Sequence, residues 1–123
     1  MVGVPANANS NQRFLTLEAF RAAGFFVAAE AFADRRYEPD GALRSRKLDS
    51  ALLSNPDDAA TQALRIVNEG SVLASNGAVV PVEAQTLCIH SDTPGSQQIA
   101  EAVNRKLREA DISLRTLDKN LQR

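Results

Sequence analysis

An α/β fold built on a parallel sheet is what this 123-residue sequence predicts. Two short apolar runs of strand length, FFVAAEAFA (25–33) and TLCIH (86–90), lie far apart in the chain. Between them stands an amphipathic helix with clear start and stop signals, residues 56–69. Near-continuous apolar runs suit strands covered on both faces, and a strand–helix–strand order suits a parallel pair joined by a crossover. The charge balance, 14 basic residues against 15 acidic, and a 44% hydrophobic content fit an ordinary globular domain.

The elements follow in order. Residues 1–14 read as an extended lead-in, with Gly3, Pro5 and a run of Asn and Ser that favour turns. Residues 16–23 read as a short helix, capped by Thr16 and stopped by Gly24. The strand at 25–33 is interrupted by the charged Glu30 and ends in the polar segment ADRRYEPDG. Asn55 caps the helix 56–69, Pro56 fills its first turn, and Asp57 and Asp58 favour the positive end of its dipole. Ala60, Ala63, Leu64 and Val67 define its apolar face, and Gly70 closes it. Residues 71–82 read as a hairpin with a type I′ turn at Asn76-Gly77, and Pro81 sets its second arm at an edge or strand end. After the strand TLCIH, Thr93 and Pro94 read as an N-cap and first-turn pair for a helix over about 95–110, with Ile99, Val103 and Leu107 on one face. Residues 113–123 are a polar tail, which leaves 15–112 as the single domain.

Composition excludes several function classes. A net charge of −1 does not suit a nucleic-acid binder or a polybasic membrane-surface protein. No apolar run approaches the ~20 residues of a membrane span. The N-terminus lacks the basic and hydrophobic regions of a secretory signal, so the expected compartment is the cytosol. A single cysteine, Cys88, excludes an internal disulfide and a multi-cysteine zinc site, and no metal site is assigned.

In open parallel sheets, ligands bind beyond the carboxyl ends of the strands. That points to 34–37 and 90–93. Side chains two apart on a strand share a face, which groups Phe26, Ala28, Glu30, Phe32 and Asp34 on the first run. On the second run it groups Thr86, Cys88, His90 and Asp92. His90 and Asp92 would lie ~7 Å apart along the strand. The loop DTPGS then opens a helix whose free N–H groups suit an anion. Each feature also has a purely structural reading: His90 as a satisfied core residue, Asp92 as a turn or capping residue, Glu30 and Arg35 as an ion pair, and Cys88 as a small buried hydrophobe.

The stretches AEAFADRRYEPDGAL (29–43) and LCIHSDTPGS (87–96), with NPDDAATQALRIVNEG and the NG hairpin between them, resemble the LamB/YcsF family of lactam-utilisation proteins, which includes the A subunit of bacterial-type 5-oxoprolinase. The resemblance runs from about residue 15 to 112. It implies part of an irregular, TIM-barrel-like (β/α) barrel of the glycoside hydrolase/deacetylase type, here its C-terminal half with a β-hairpin insertion. It implies ATP-coupled opening of the 5-oxoproline lactam to L-glutamate, carried out with partner subunits B and C. The matching positions are Glu30, Asp34, Arg35 and Tyr37, then His90, Asp92, Thr93 and Gly95. From these the resemblance casts His90, Asp92 and Glu30 as catalytic, and Asp34, Arg35, Tyr37 and Thr93 as substrate-binding. In that scheme Asp92 orients His90 or the attacking water, and Arg35 pairs with a carboxylate or phosphate. Ser91 stands where the family usually has glycine.

The family's N-terminal Asp-Leu-Asn-x-Asp-x-Gly-Glu and Cys-Gly-x-His-x-Gly-Asp segments do not occur in this sequence. Their absence points to a truncated gene product, a split gene or a partial sequence. It also keeps open a second reading, a non-catalytic remnant or interaction module that retains the fold. Sugar deacetylase activity, on fold kinship alone, is the weaker third reading, because it needs a metal cluster that one His cannot supply.

Overall fold

The computed structural model describes residues 2–5 and 17–118. Its main sheet has three parallel strands in the order β1 (Val2–Pro5), β2 (Val27–Phe32) and β5 (Thr86–Cys88). Val2 pairs with Val27 and Pro5 with Glu30; on the other side of β2, Glu30 pairs with Thr86 and Phe32 with Cys88. Part of the predicted lead-in is thus a strand of the sheet, and the expected parallel pairing of the two apolar runs is present.

The connection from β2 to β5 passes through helix α1 (Pro56–Glu69) and the hairpin of β3 (Ser71–Leu73) and β4 (Val79–Pro81). The chain then ends in helix α2 (Ser96–Glu109) and the segment after it. The α1 boundaries match those read from the sequence. Asn55 accepts from the backbone N–H groups of Asp57 (2.9 Å) and Asp58 (3.2 Å), and Gly70 ends the helix at φ 62°. Residues 17–22 are helical and Gly24 follows at φ 89°; the predicted Thr16 cap lies outside the described residues.

Three local expectations are corrected. The buried stripe of α1 is Ala59, Ala60, Gln62, Ala63 and Ile66, whereas Val67 is 44% exposed. The helix is rotated so that a polar side chain, Gln62, faces inward. The hairpin turn is not type I′, which needs positive φ at both central residues. Here only Gly77 has positive φ, at 84°, and Ala74 bonds both Gly77 N–H to its carbonyl and Ala78 O to its amide. That is a three-residue loop with a left-handed glycine. Finally, β2 begins at Val27, leaving Phe25 and Phe26 exposed, and β5 ends at Cys88, two residues short of the apolar run.

Two apolar clusters hold the layers together. One joins Ala29, Ala31, Phe32 and Tyr37 to Ile66 and the hairpin residues Val72, Val80 and Val82. The other joins Ala33 and Leu53 to the facing sides of α1 and α2, including Ala59, Ala63, Ile99 and Leu107. Alanine dominates the α1 side of that contact, so the helices approach closely. Leu87 of β5 touches both clusters, which fixes the strand tip that carries the candidate site.

Candidate active site at the strand tips

The first half of the site is the segment that leaves β2. Ala33 N–H bonds to Cys88 O, which prolongs the pairing by one residue past the strand. The chain then runs as a long loop, 34–53, closed on itself by backbone bonds: Leu53 N–H to Asp34 O, Arg36 N–H to Ala51 O and Arg44 N–H to Arg36 O. Tyr37 anchors it. Its ring is fully buried, and its hydroxyl accepts the N–H of Phe32 at 3.1 Å. Burial pushes the Tyr37 phenol up to about 12, against the smaller opposing effects of the Phe32 N–H and the Arg35 charge.

Asp34 is 0% exposed and accepts three hydrogen bonds. Oδ2 takes the backbone N–H of His90 at 2.8 Å and the Thr93 hydroxyl at 2.8 Å. Oδ1 meets Nδ1 of His90 at 2.9 Å. Burial alone would raise the Asp34 pKa, but the bonds from the His90 ring, the His90 amide and the Thr93 hydroxyl outweigh it and hold the pKa below the usual value. The ionised carboxylate carries no proton, so Nδ1 of His90 is the donor; in the neutral ring Nε2 is then the acceptor. The ring also lies against Phe32, with centroids 5.2 Å apart and planes 14° from parallel. One carboxylate and one aromatic face therefore fix the position, tautomer and tilt of a partly exposed imidazole.

Arg35 is also nearly buried, 7% exposed. One terminal nitrogen donates to Arg44 O at 2.7 Å, while its buried Nε has no hydrogen-bond partner among the described residues. Burial first, and then the charge of Arg46, lower the Arg35 pKa from its ordinary value. Arg46 itself bridges to Asp92 at 3.1 Å.

The predicted site residues therefore separate into groups. His90, Asp34 and Thr93 come together. Asp34 and Thr93, expected to contact substrate, bond to each other, and Asp34 also bonds to the amide and ring of His90. Thr93 is for the same reason not the helix cap: α2 starts after Gly95, at φ 75°, with no side-chain cap. Tyr37 is sealed in the core and braces β2. Asp92 does not orient His90. Because β5 stops at Cys88, the chain has turned before residue 92, and the Asp92 side chain, 69% exposed, reaches Arg46. Glu30 lies mid-strand beside Thr86, away from the strand tips, and its burial is intermediate. Cys88 neighbours it on the same face, and burial, reinforced by the charges of Glu30 and Asp34, pushes the thiol up and away from nucleophile chemistry. Ser91 is exposed, and its carbonyl accepts from Ser96 Oγ at 3.3 Å.

One residue was missed in the sequence. Gln62, buried on α1, donates from Nε2 to the carbonyls of Phe32 (2.8 Å) and Arg35 (2.7 Å), with Ala33 at 3.4 Å. It ties the helix to the backbone on both sides of Asp34. The available signal was its spacing: Ala59, Gln62, Ala63 and Ile66 form a stripe in which only Gln62 is polar.

Comparison with known proteins places the chain. The LamB/YcsF family matches residues 6–122. The chain is 46% identical over 100 residues to the A subunit of 5-oxoprolinase from Chloroflexus aggregans, covering 81% of this chain and 40% of that protein. It is 45% identical over 92 residues to the A subunit of 5-oxoprolinase from Mycolicibacterium paratuberculosis, covering 75% and 36%. The crystal structure of the lactam utilization protein from Thermus thermophilus matches with a TM-score of 0.77 at 39% identity, over 84% of this chain and 40% of that one. The chain thus spans about 40% of the length of these relatives. With the match running over nearly all of its residues, at this identity and on a shared α/β fold, the chain belongs to the LamB/YcsF family.

Proposed function

We propose that this chain carries the C-terminal half of the (β/α) barrel of a 5-oxoprolinase A subunit, and that its strand-tip cluster serves the ATP-dependent hydrolysis of 5-oxoproline to L-glutamate together with the B and C subunits in the cytoplasm. The observation that supports this most is the His90–Asp34 pair: an imidazole with Nδ1 held at 2.9 Å by a buried carboxylate, which leaves Nε2 of the neutral ring as the proton acceptor. Relatives named as the A subunit of 5-oxoprolinase support the substrate class and the need for other subunits.

In this reading His90 Nε2 takes a proton from the attacking water and returns one to the ring nitrogen as the lactam C–N bond breaks. Asp34 stabilises the imidazolium formed in between, and Thr93 and Phe32 keep the ring on its axis. When bound, ATP supplies the activation that a poorly electrophilic amide carbonyl lacks. Arg35 fits an oxyanion of substrate or nucleotide, because its buried Nε has no partner within the described chain.

The test is ATP-dependent glutamate release from 5-oxoproline by this chain with the B and C subunits, with and without the remaining segment of a relative. Activity is expected when the segment is supplied, and His90→Gln should lower it by at least about 100-fold. A folded chain that stays inactive with every component present would replace this reading with a non-catalytic, interaction role.

A further inference from the structure

The loop 34–53 brings a second cation to the strand tips. Arg35 donates to the carbonyl of Arg44, so its guanidinium lies against the stretch of loop that carries Arg46. Arg46 in turn reaches across to Asp92, two residues beyond His90. Arg35, the 44–46 strap, Arg46, Asp92 and His90 therefore follow one another at the strand tips. Two neighbouring guanidiniums repel each other, and the Arg46 charge is felt at Arg35. The single carboxylate that pairs with Arg46 is exposed, while the other nearby carboxylate, Asp34, has its oxygens committed to His90 and Thr93. Arg35, 7% exposed, also keeps an N–H with no partner among the described residues. A buried donor without an acceptor is costly, and an acceptor brought by a ligand removes that cost.

We propose that Arg35 and Arg46 form a subsite for one small anionic group, a carboxylate or a phosphoryl, and that Asp92 is a placeholder which holds Arg46 at the strand tips until the anion displaces it. Arg35 is the fixed half, locked by burial and by Arg44 O. Arg46 is the mobile half, because an exposed ion pair is weak and exchanges readily. The subsite sets the anion beside His90, so it selects for substrates that carry a negative group next to the reacting bond. This deepens the functional reading above by adding a specificity determinant, Arg46, and a role for Asp92 other than orienting the histidine. It rests on that reading for the identity of the reaction but not for the binding itself.

The experiment is an NMR titration of the full 123-residue chain, following the arginine Nε–H signals, with 5-oxoproline, 2-pyrrolidinone (the same lactam without its carboxylate) and inorganic phosphate. The chain is used as wild type, Arg46→Gln and Asp92→Asn, each first checked for an unchanged thermal midpoint. 5-Oxoproline is expected to shift Arg35 and Arg46, and 2-pyrrolidinone to leave them in place. Arg46→Gln should weaken 5-oxoproline binding roughly 10-fold, the loss expected for a hydrogen bond to a charged group. Asp92→Asn should strengthen it, since the competitor is gone. If phosphate rather than 5-oxoproline shows this dependence, the anion is phosphoryl and the subsite stands. If Arg46→Gln binds both anions like wild type, or neither anion shifts Arg35, the proposal is overturned. Arg46-dependent anion binding in a chain whose complete assembly never releases glutamate would keep the subsite and discard the 5-oxoprolinase reading.

Discussion

Asp34 accepts three hydrogen bonds while wholly buried, so donors rather than water hold its negative charge. Asp34→Asn puts an amide N–H₂ where an acceptor is needed. It is expected to destabilise the fold by about 2–3 kcal/mol, measured by denaturant unfolding at pH 7. The sign of the pH effect follows from the lowered native pKa. The unfolded chain carries the ordinary aspartate value near ~3.9. The Asp34 contribution is therefore complete above about pH 5 and is lost as the pH falls below about 4 and through the native pKa. The stability gap between wild type and Asp34→Asn should narrow on going from pH 7 to pH 3; a constant gap would mean that the charge is not what the donors hold. Sequence alone brought His90, Asp34 and Thr93 forward as candidates, yet it paired His90 with Asp92. Strand alternation favours that pairing only while the strand continues, and the chain leaves the sheet at Cys88.

At the scale of elements, the long crossover was the most legible part. The α1 helix carries its own punctuation, an Asn cap, a first-turn proline and a terminal glycine, and each of these acts locally. Asn55→Ala should cost about 1 kcal/mol, read from the thermal midpoint. What stayed hidden was the rotation of the helix about its axis. Small alanines on several faces made two apolar stripes nearly equivalent, and tertiary bonds chose the one containing Gln62. Gln62→Met keeps the volume but removes the donor to the Phe32 and Arg35 carbonyls. It should destabilise by about 1–3 kcal/mol and shift the His90 ring signals in the NMR spectrum. Loss of stability with unmoved ring signals would show that α1 supports the sheet without positioning the site. The hairpin was likewise foreseeable from Asn-Gly, but its turn type depends on a three-residue loop length that the dipeptide does not specify.

Across the whole molecule, the sheet has β2 at its centre and β5 with one strand neighbour among the described residues. The three residues of β5 are of intermediate burial, and Phe25 and Phe26 are exposed. Unpaired strand edges and exposed aromatics favour association. The sedimentation coefficient of the chain is expected to rise with concentration, and Thr86→Lys on β5 should suppress the rise by placing charge at the edge. A single species at every concentration would show that the chain covers this edge itself. The parallel pairing of the two apolar runs was readable because apolar runs of strand length on either side of a helix suit a parallel pair joined by a crossover. The strand at Val2–Pro5 was not, since glycine and proline read as loop signals.

The three groups that hold the Asp34 carboxylate come from residues 56 and 59 positions later in the chain. Such contacts close only after the intervening helix and hairpin have docked, because the entropy of closing a long loop must be met first. The clamp should accordingly be absent from the rate-limiting transition state of folding. In stopped-flow experiments Asp34→Asn should then accelerate unfolding in proportion to its lost stability and leave the refolding rate nearly unchanged. The site would be the last part of the chain to assemble and the first to come apart, so its lifetime is governed by the unfolding barrier.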